Sequence, residues 1–197
     1  LIEVHLSKEI RNFTSSLRTI STLSEAEEIF KQTPVLNMLN TKYVIYAPQA
    51  MPISNPYKMG NAWLVDNINL VNSADEEMLS LGLDSLNNTV IVDKATKNAP
   101  ANKKYNSANG KIKLIKYEPN VMTYKFSSAE DQLAVFSEIY YPQDWHLYIV
   151  DEQGNNTIEI PIARVNYTLR AAVIPAGEHK LRMEFKPNAL QIDKWSM

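Results

Sequence analysis

Between Ser137 and Asn156 the chain reads SEIYYPQDWHLYIVDEQGNN, which gathers Tyr140, Tyr141, Trp145, His146 and Tyr148 into one short run. Flat aromatic faces of this kind stack on sugar rings, and Gln143 and Asp144 between them carry the polar atoms that would fix a saccharide's orientation. Strand alternation then divides the set. Trp145, Leu147 and Ile149 fall on one side, and His146, Tyr148 and Val150 on the other. With the first side taken as core, Trp145 packs inside. Tyr140, Tyr141 and Tyr148, with Gln143 and Asp144, are left as the candidate ligand-binding residues.

Other chemistry finds less support. The three histidines, His5, His146 and His179, show no His-x-x-x-His or His-Glu-x-x-His spacing, so no metal ligands are assigned. Cysteine is absent, which removes thiolate chemistry and disulfides. No Gly-x-Ser-x-Gly elbow, phosphate loop or Gly-x-Gly-x-x-Gly occurs, and five glycines in 197 residues give the backbone few close approaches to a nucleotide. Glycosidase carboxylates meet only in the fold, so Glu138, Asp144, Asp151 and Glu159 are candidates by position alone. Nothing separates them from ordinary strand-end carboxylates. The turn DEQGNN offers several oxygens but not the EF-hand spacing, and reads as a hairpin turn. The sequence therefore predicts no catalytic residue, no cofactor and no metal.

A chain of 197 residues holds one sizeable core or two small ones. With 45% hydrophobic and 21% charged residues it is globular in composition, and a net charge of -2 lacks the basic excess of a nucleic-acid binder. No run approaches the length of a membrane span. The chain opens on Leu1 and ends at DKWSM, the expectation being a segment of a longer protein.

The elements that must position the aromatic run follow from periodicity. Leu6, Ile10, Phe13, Leu17 and Ile20 make one helical stripe. Ser24 to Glu27 and Ser73 to Glu76 read as capping boxes, and Pro34 suits the first position of a short helix. KYVIY predicts a buried strand, NAWLVDNINLV a second and TVIVD a third, with a helix between the last two that Gly82 ends in the left-handed conformation. Residues 94–110, rich in Lys, Asn, Ala and Ser, predict a mobile loop whose lysines form a solvated charge run. Beyond residue 110 the period becomes two. KIKLIKY, VMTYKF, LAVFSEIYY, WHLYIV, TIEIPI, YTLRAAV and HKLRMEF predict about seven short antiparallel strands. The fold expected is α+β: helices and a small mixed α/β part over 1–93, the loop over 94–110, a jelly-roll-like antiparallel β-sandwich over 111–187, and a tail over 188–197.

LNMLNTKYVIY, NPYKMGNAWLVDNINLVNSADEEM, IKLIKYEPNVMTYKFSS, LAVFSEIYYPQDWHLYIVDEQ and NYTLRAAVIPAGEHKLRMEFKP together resemble the carboxy-terminal part of the YfhO-like bacterial membrane proteins. The likeness runs from about Thr33 to Pro187, in consistent order. Those proteins are polytopic and similar in organisation to multi-spanning glycosyltransferases that use lipid-linked sugars. The resemblance implies a non-catalytic domain on the extracytoplasmic (periplasmic) side of the cytoplasmic membrane, anchored through its parent protein. Its partners would be the membrane-spanning part and a glycan or lipid-linked sugar, not nucleic acid. It also implies that catalytic acids lie in an amino-terminal membrane region, that residues 188–197 are juxtamembrane, and that a spanning helix continues past Trp195. One departure is clear: the turn that often reads Tyr-Pro-Gly-Trp in such proteins holds Gln143 and Asp144 between Pro142 and Trp145 here. A stand-alone carbohydrate-binding sandwich and, behind it, a soluble glycoside hydrolase are the alternatives.

Overall fold

A computed structural model describes residues 2–82 and 85–187; the tail expected over 188–197 lies outside the described residues. Helix α1 (Ile2–Ser16) buries Phe13 against Phe30, their rings 4.6 Å apart; of the predicted stripe, Leu17 and Ile20, just past the helix, join the same cluster, Leu6 packs on another, and Ile10 is exposed. α2 (Leu23–Glu28) is capped two residues earlier than Ser24: Thr22 Oγ1 accepts from the Glu25 amide at 3.2 Å, and the Glu25 carboxylate accepts from the Ser21 amide at 2.9 Å. The letters TLSEAE contain two overlapping boxes, and the first one forms. α3 (Pro34–Met38) starts on Pro34 as predicted. Its otherwise unpaired first amides find a distant acceptor, since Glu9 on α1 takes both the Val35 and Leu36 N–H groups at 2.9 Å.

The buried strand expected at KYVIY shrinks to β1 (Tyr43–Val44), paired with β2 (Ile53–Ser54). Tyr43, Ile45 and Tyr46 are exposed. Pro48 and Pro52 lie in the connection and have no amide to extend the ladder, and no sheet covers the outer side. NAWLVDNINLV, expected as one strand, divides at Asp66 into β3 (Ala62–Val65) and β4 (Asn67–Val71). The break is held from both sides. Asn88 carbonyl accepts from the Asp66 and Asn67 amides, and the Asp66 carboxylate accepts from the Ser107 amide at 2.6 Å. α4 (Ala74–Ser80) carries the predicted box, with Ser73 Oγ accepting from the Glu76 amide and the Glu76 carboxylate from the Asn72 amide. It ends in right-handed backbone at Leu81, and Gly82 is not left-handed, contrary to expectation. β5 (Thr89–Asp93) pairs parallel with β4, completing a strand–helix–strand unit.

Past the lysine-rich segment, where Tyr105 is buried and its amide bonds to Asp66, eight strands follow among the described residues. They are β6 (Gly110–Glu118), β7 (Val121–Ser128), β8 (Gln132–Ile139), β9 (Trp145–Val150), β10 (Asn156–Ile160), β11 (Ala163–Val165), β12 (Leu169–Ile174) and β13 (Gly177–Phe185). Two antiparallel sheets result, one ordered β10-β9-β13-β7-β6 and the other β11-β12-β8-β3. The protein is thus α+β with its strands mainly in antiparallel sheets. Strand β3, from the first 93 residues, lies on the edge of the second sheet, Trp63 opposite Val135.

The alternation of the four-stranded sheet is apolar on both sides. Leu64, Ala134, Phe136, Ala172 and Ile174 join Met122, Tyr124, Leu147, Leu181 and Met183 of the five-stranded sheet in one cluster. Val65, Leu133, Val135, Leu169 and Ala171 point the other way, into a cluster with Val71, Met78, Val90 and Val92 of the strand–helix–strand unit. The four-stranded sheet is therefore a middle layer, and the front of the chain packs on it. Asn166 fastens that contact: fully buried, it donates its amide to the Ile91 carbonyl and accepts the Ile91 amide on Oδ1, each at 2.8 Å.

Candidate functional site

The aromatic run does sit at a cleft. The segment between β8 and β9, the β10–β11 connection and Lys97–Asn98 enclose a volume of about 190 Å³, walled by Tyr140, Tyr141, Trp145, His146 and Pro161 and floored by Arg170. Tyr140 is fixed through its amide, which donates to the Thr168 carbonyl at 2.7 Å, whereas Tyr141 is half exposed. Asp144 also lines the cleft and takes a left-handed φ of 62°, its carbonyl accepting from the Lys186 amide at 2.7 Å. That conformation turns the chain so that Trp145 enters β9 with its ring toward the core. Trp145 packs 5.5 Å from Phe185 and against the inter-sheet cluster, as alternation predicts.

Two of the five predicted residues fall elsewhere. Gln143 is exposed and does not line the cleft. Tyr148 lies on the outward face of the five-stranded sheet, stacked 5.9 Å from His146 and covered by Lys186 Nζ at 4.8 Å. His146 links the two places, because it lines the cleft and also pairs with Glu159 through Nδ1 at 2.7 Å.

Arg170 is the residue that sequence reasoning missed. It is only 3% exposed, lies with its Cζ 4.1 Å from the Trp145 ring centroid, and donates through Nη1 to the Met183 sulfur at 3.1 Å. Burial pushes its guanidinium below the ordinary value, while Glu138 and Tyr124 hold it up. The half-buried Glu138 carboxyl is in turn pushed up by burial and drawn back by Arg170. The available signal was a lone charge in an otherwise apolar run: in LRAAVI, Arg170 shares its side with Ala172 and Ile174, which enter the inter-sheet cluster.

The cleft is lined by aromatic rings and polar side chains. Its lining contains no serine, threonine or cysteine, so the His146–Glu159 pair has no nucleophile to activate. Glu159 is exposed and bonded to His146. Among the described residues no group of three or more His, Asp or Glu side chains is placed to hold a metal. A wider hollow of about 370 Å³ beside α1 and α2 is lined largely by aliphatic groups such as Leu17, Ile20, Leu23 and Met51, and offers no charge to orient a ligand. The cleft at Tyr140 combines rings with donors and acceptors. No helix among the described residues is long and apolar enough to cross a membrane. No family model, curated protein or solved structure matches this chain.

Proposed function

We propose that this chain is a non-catalytic extracytoplasmic domain of a membrane-bound, glycosyltransferase-like protein, and that it positions an acceptor glycan in cell-envelope or lipid-sugar assembly. The observation that carries the reading is the cleft itself, where the rings of Tyr140, Tyr141 and Trp145 meet Asp144, Asn98 and Lys97 without a reactive pair. A sugar presents an apolar ring face and a rim of hydroxyls, and such a wall of rings with polar groups at its margin complements both. The ordered resemblance to YfhO-like proteins supports the setting. The left-handed Asp144 stands immediately before Trp145, in the turn that often reads Tyr-Pro-Gly-Trp in such proteins and holds Gln143 and Asp144 here. The two antiparallel sheets around a common cluster are read as a jelly-roll-like sandwich, whose end forms the cleft.

Calorimetric titration of the protein with neutral oligosaccharides tests the reading. Tyr140→Ala with Tyr141→Ala should weaken binding at least about tenfold, the loss of two stacking faces, with an unchanged melting temperature. Absence of any sugar affinity in the unaltered protein would leave bracing of the membrane part as the role of this domain.

A further inference from the structure

The outward face of the five-stranded sheet carries a second feature. In register, Lys113 on β6 stands opposite Lys125 on β7, and Lys125 stands opposite Lys180 on β13. All three are exposed, and none has an ion-pair or hydrogen-bond partner among the described residues. Neighbouring strands lie about 4.8 Å apart, so the row places a cation at each strand spacing. Like charges directly opposite one another work against the sheet. The row is joined to the cleft: Arg182 lies two residues along β13 from Lys180 and pairs in register with Tyr148, which stacks on His146 at the cleft wall.

We infer that the glycan is acidic, a linear saccharide bearing carboxylate or phosphate groups that leaves the cleft past Tyr148 and Arg182 and lies across the strands on Lys180, Lys125 and Lys113. This rests on the reading of the cleft as a glycan site and names the class of glycan. A line of charge fits better than a plane of charge. Glu178, Glu159 and Glu118 are exposed on the outward side of the sheet, and a flat anionic bilayer would meet them together with the lysines. A single polyanionic strand follows the row and, of these carboxylates, meets only Glu159, which lies opposite Tyr148 and is already paired with His146. Its negative groups would neutralise the three unpaired ammonium groups without burying any of them.

The test uses the full chain with oligogalacturonate and with the same oligomer methyl-esterified to remove its charge. At low salt the acid form should bind about tenfold more tightly than the ester, and added salt should erase the difference. The triple variant Lys113→Gln, Lys125→Gln, Lys180→Gln should lose that preference while melting no lower than the unaltered protein. A control with the same charge change, Lys8→Gln, Lys42→Gln, Lys104→Gln, should keep it. Retention of the preference in the first variant, or its equal loss in the control, overturns the proposal. So does tighter, lysine-dependent binding to phosphatidylglycerol-containing vesicles than to the oligosaccharide. The two readings fail separately. Ester binding that needs Tyr140 and Tyr141 but shows no acid preference sinks the lysine track alone, and lysine-dependent acid binding without any ester binding sinks the cleft alone.

Discussion

Arg170, on the four-stranded sheet, and Trp145, on the five-stranded sheet, meet as cation and ring with 4.1 Å between Cζ and the indole centroid. The contact closes the floor of the cleft and bridges the two layers. A desolvated pair of this kind contributes about 2 kcal/mol, more than an exposed one. Arg170→Met should therefore destabilise the protein by about 2 kcal/mol, and it removes the charge that draws Glu138 back toward ionisation. Urea unfolding of Arg170→Met, Trp145→Leu and the double variant checks this through their coupling. Strictly additive losses would show that the ring and the guanidinium merely lie side by side.

Glu9 gives a pH dependence. Burial holds its carboxyl above the ordinary 4.5, against the opposing pull of the Val35 and Leu36 amides. The folded chain therefore keeps this proton to higher pH than the unfolded chain does. Its contribution is fully present below pH 4.5 and declines as pH rises through the folded value. In Glu9→Gln the fall of stability above pH 4.5 should be shallower than in the unaltered protein, whatever the offset from losing one amide acceptor. Urea midpoints between pH 4 and pH 7 measure it, and a steeper fall in the variant would contradict the sign.

Two glycines should respond in opposite directions. A Cβ on Gly110 would come within 2.6 Å of Leu64 Cδ1 and 3.1 Å of Gln132 Cγ. Both neighbours are buried, so Gly110→Ala should cost about 1–3 kcal/mol as an overpacked site. Gly82 has nothing within 4 Å of its added carbon and no left-handed backbone, so Gly82→Ala should stabilise by about 0.5 kcal/mol. Paired thermal melts decide the matter, and a stabilising Gly110→Ala would mean that Leu64 and Gln132 can give way.

Much of this fold could be read from the chain where each element answers to its own neighbours. HKLRMEF alternates because one side of β13 faces the inter-sheet cluster, and Ser73 with Glu76 satisfies the orphan amides of α4 locally. Reading fails where the partner is remote. The short β3 looks continuous with β4 until Asn88 and Ser107 hold Asp66 between them, and its partner β8 begins at Gln132. β-branched residues in KYVIY imply burial only if something covers them. The site shows the same division: Tyr140, Tyr141 and Asp144 are neighbours in sequence, while Arg170, Pro161 and Lys97 arrive from other strands and loops. Arg170 escaped notice because β12 is buried on both faces, which deprives alternation of its usual inside and outside.

The position of β3 constrains how the molecule can be made. A ribosome delivers Ala62–Val65 long before Leu133–Phe136 exists to pair with it. Until then the emerging chain displays an unsatisfied ribbon edge beside the apolar side chains of Leu64 and Val65, a surface that sticks to other nascent chains. Production yield should therefore hang on chaperone supply and on the pace of synthesis over the intervening stretch, and a protein cut within the lysine-rich segment should hold together as two fragments that neither half can replace alone.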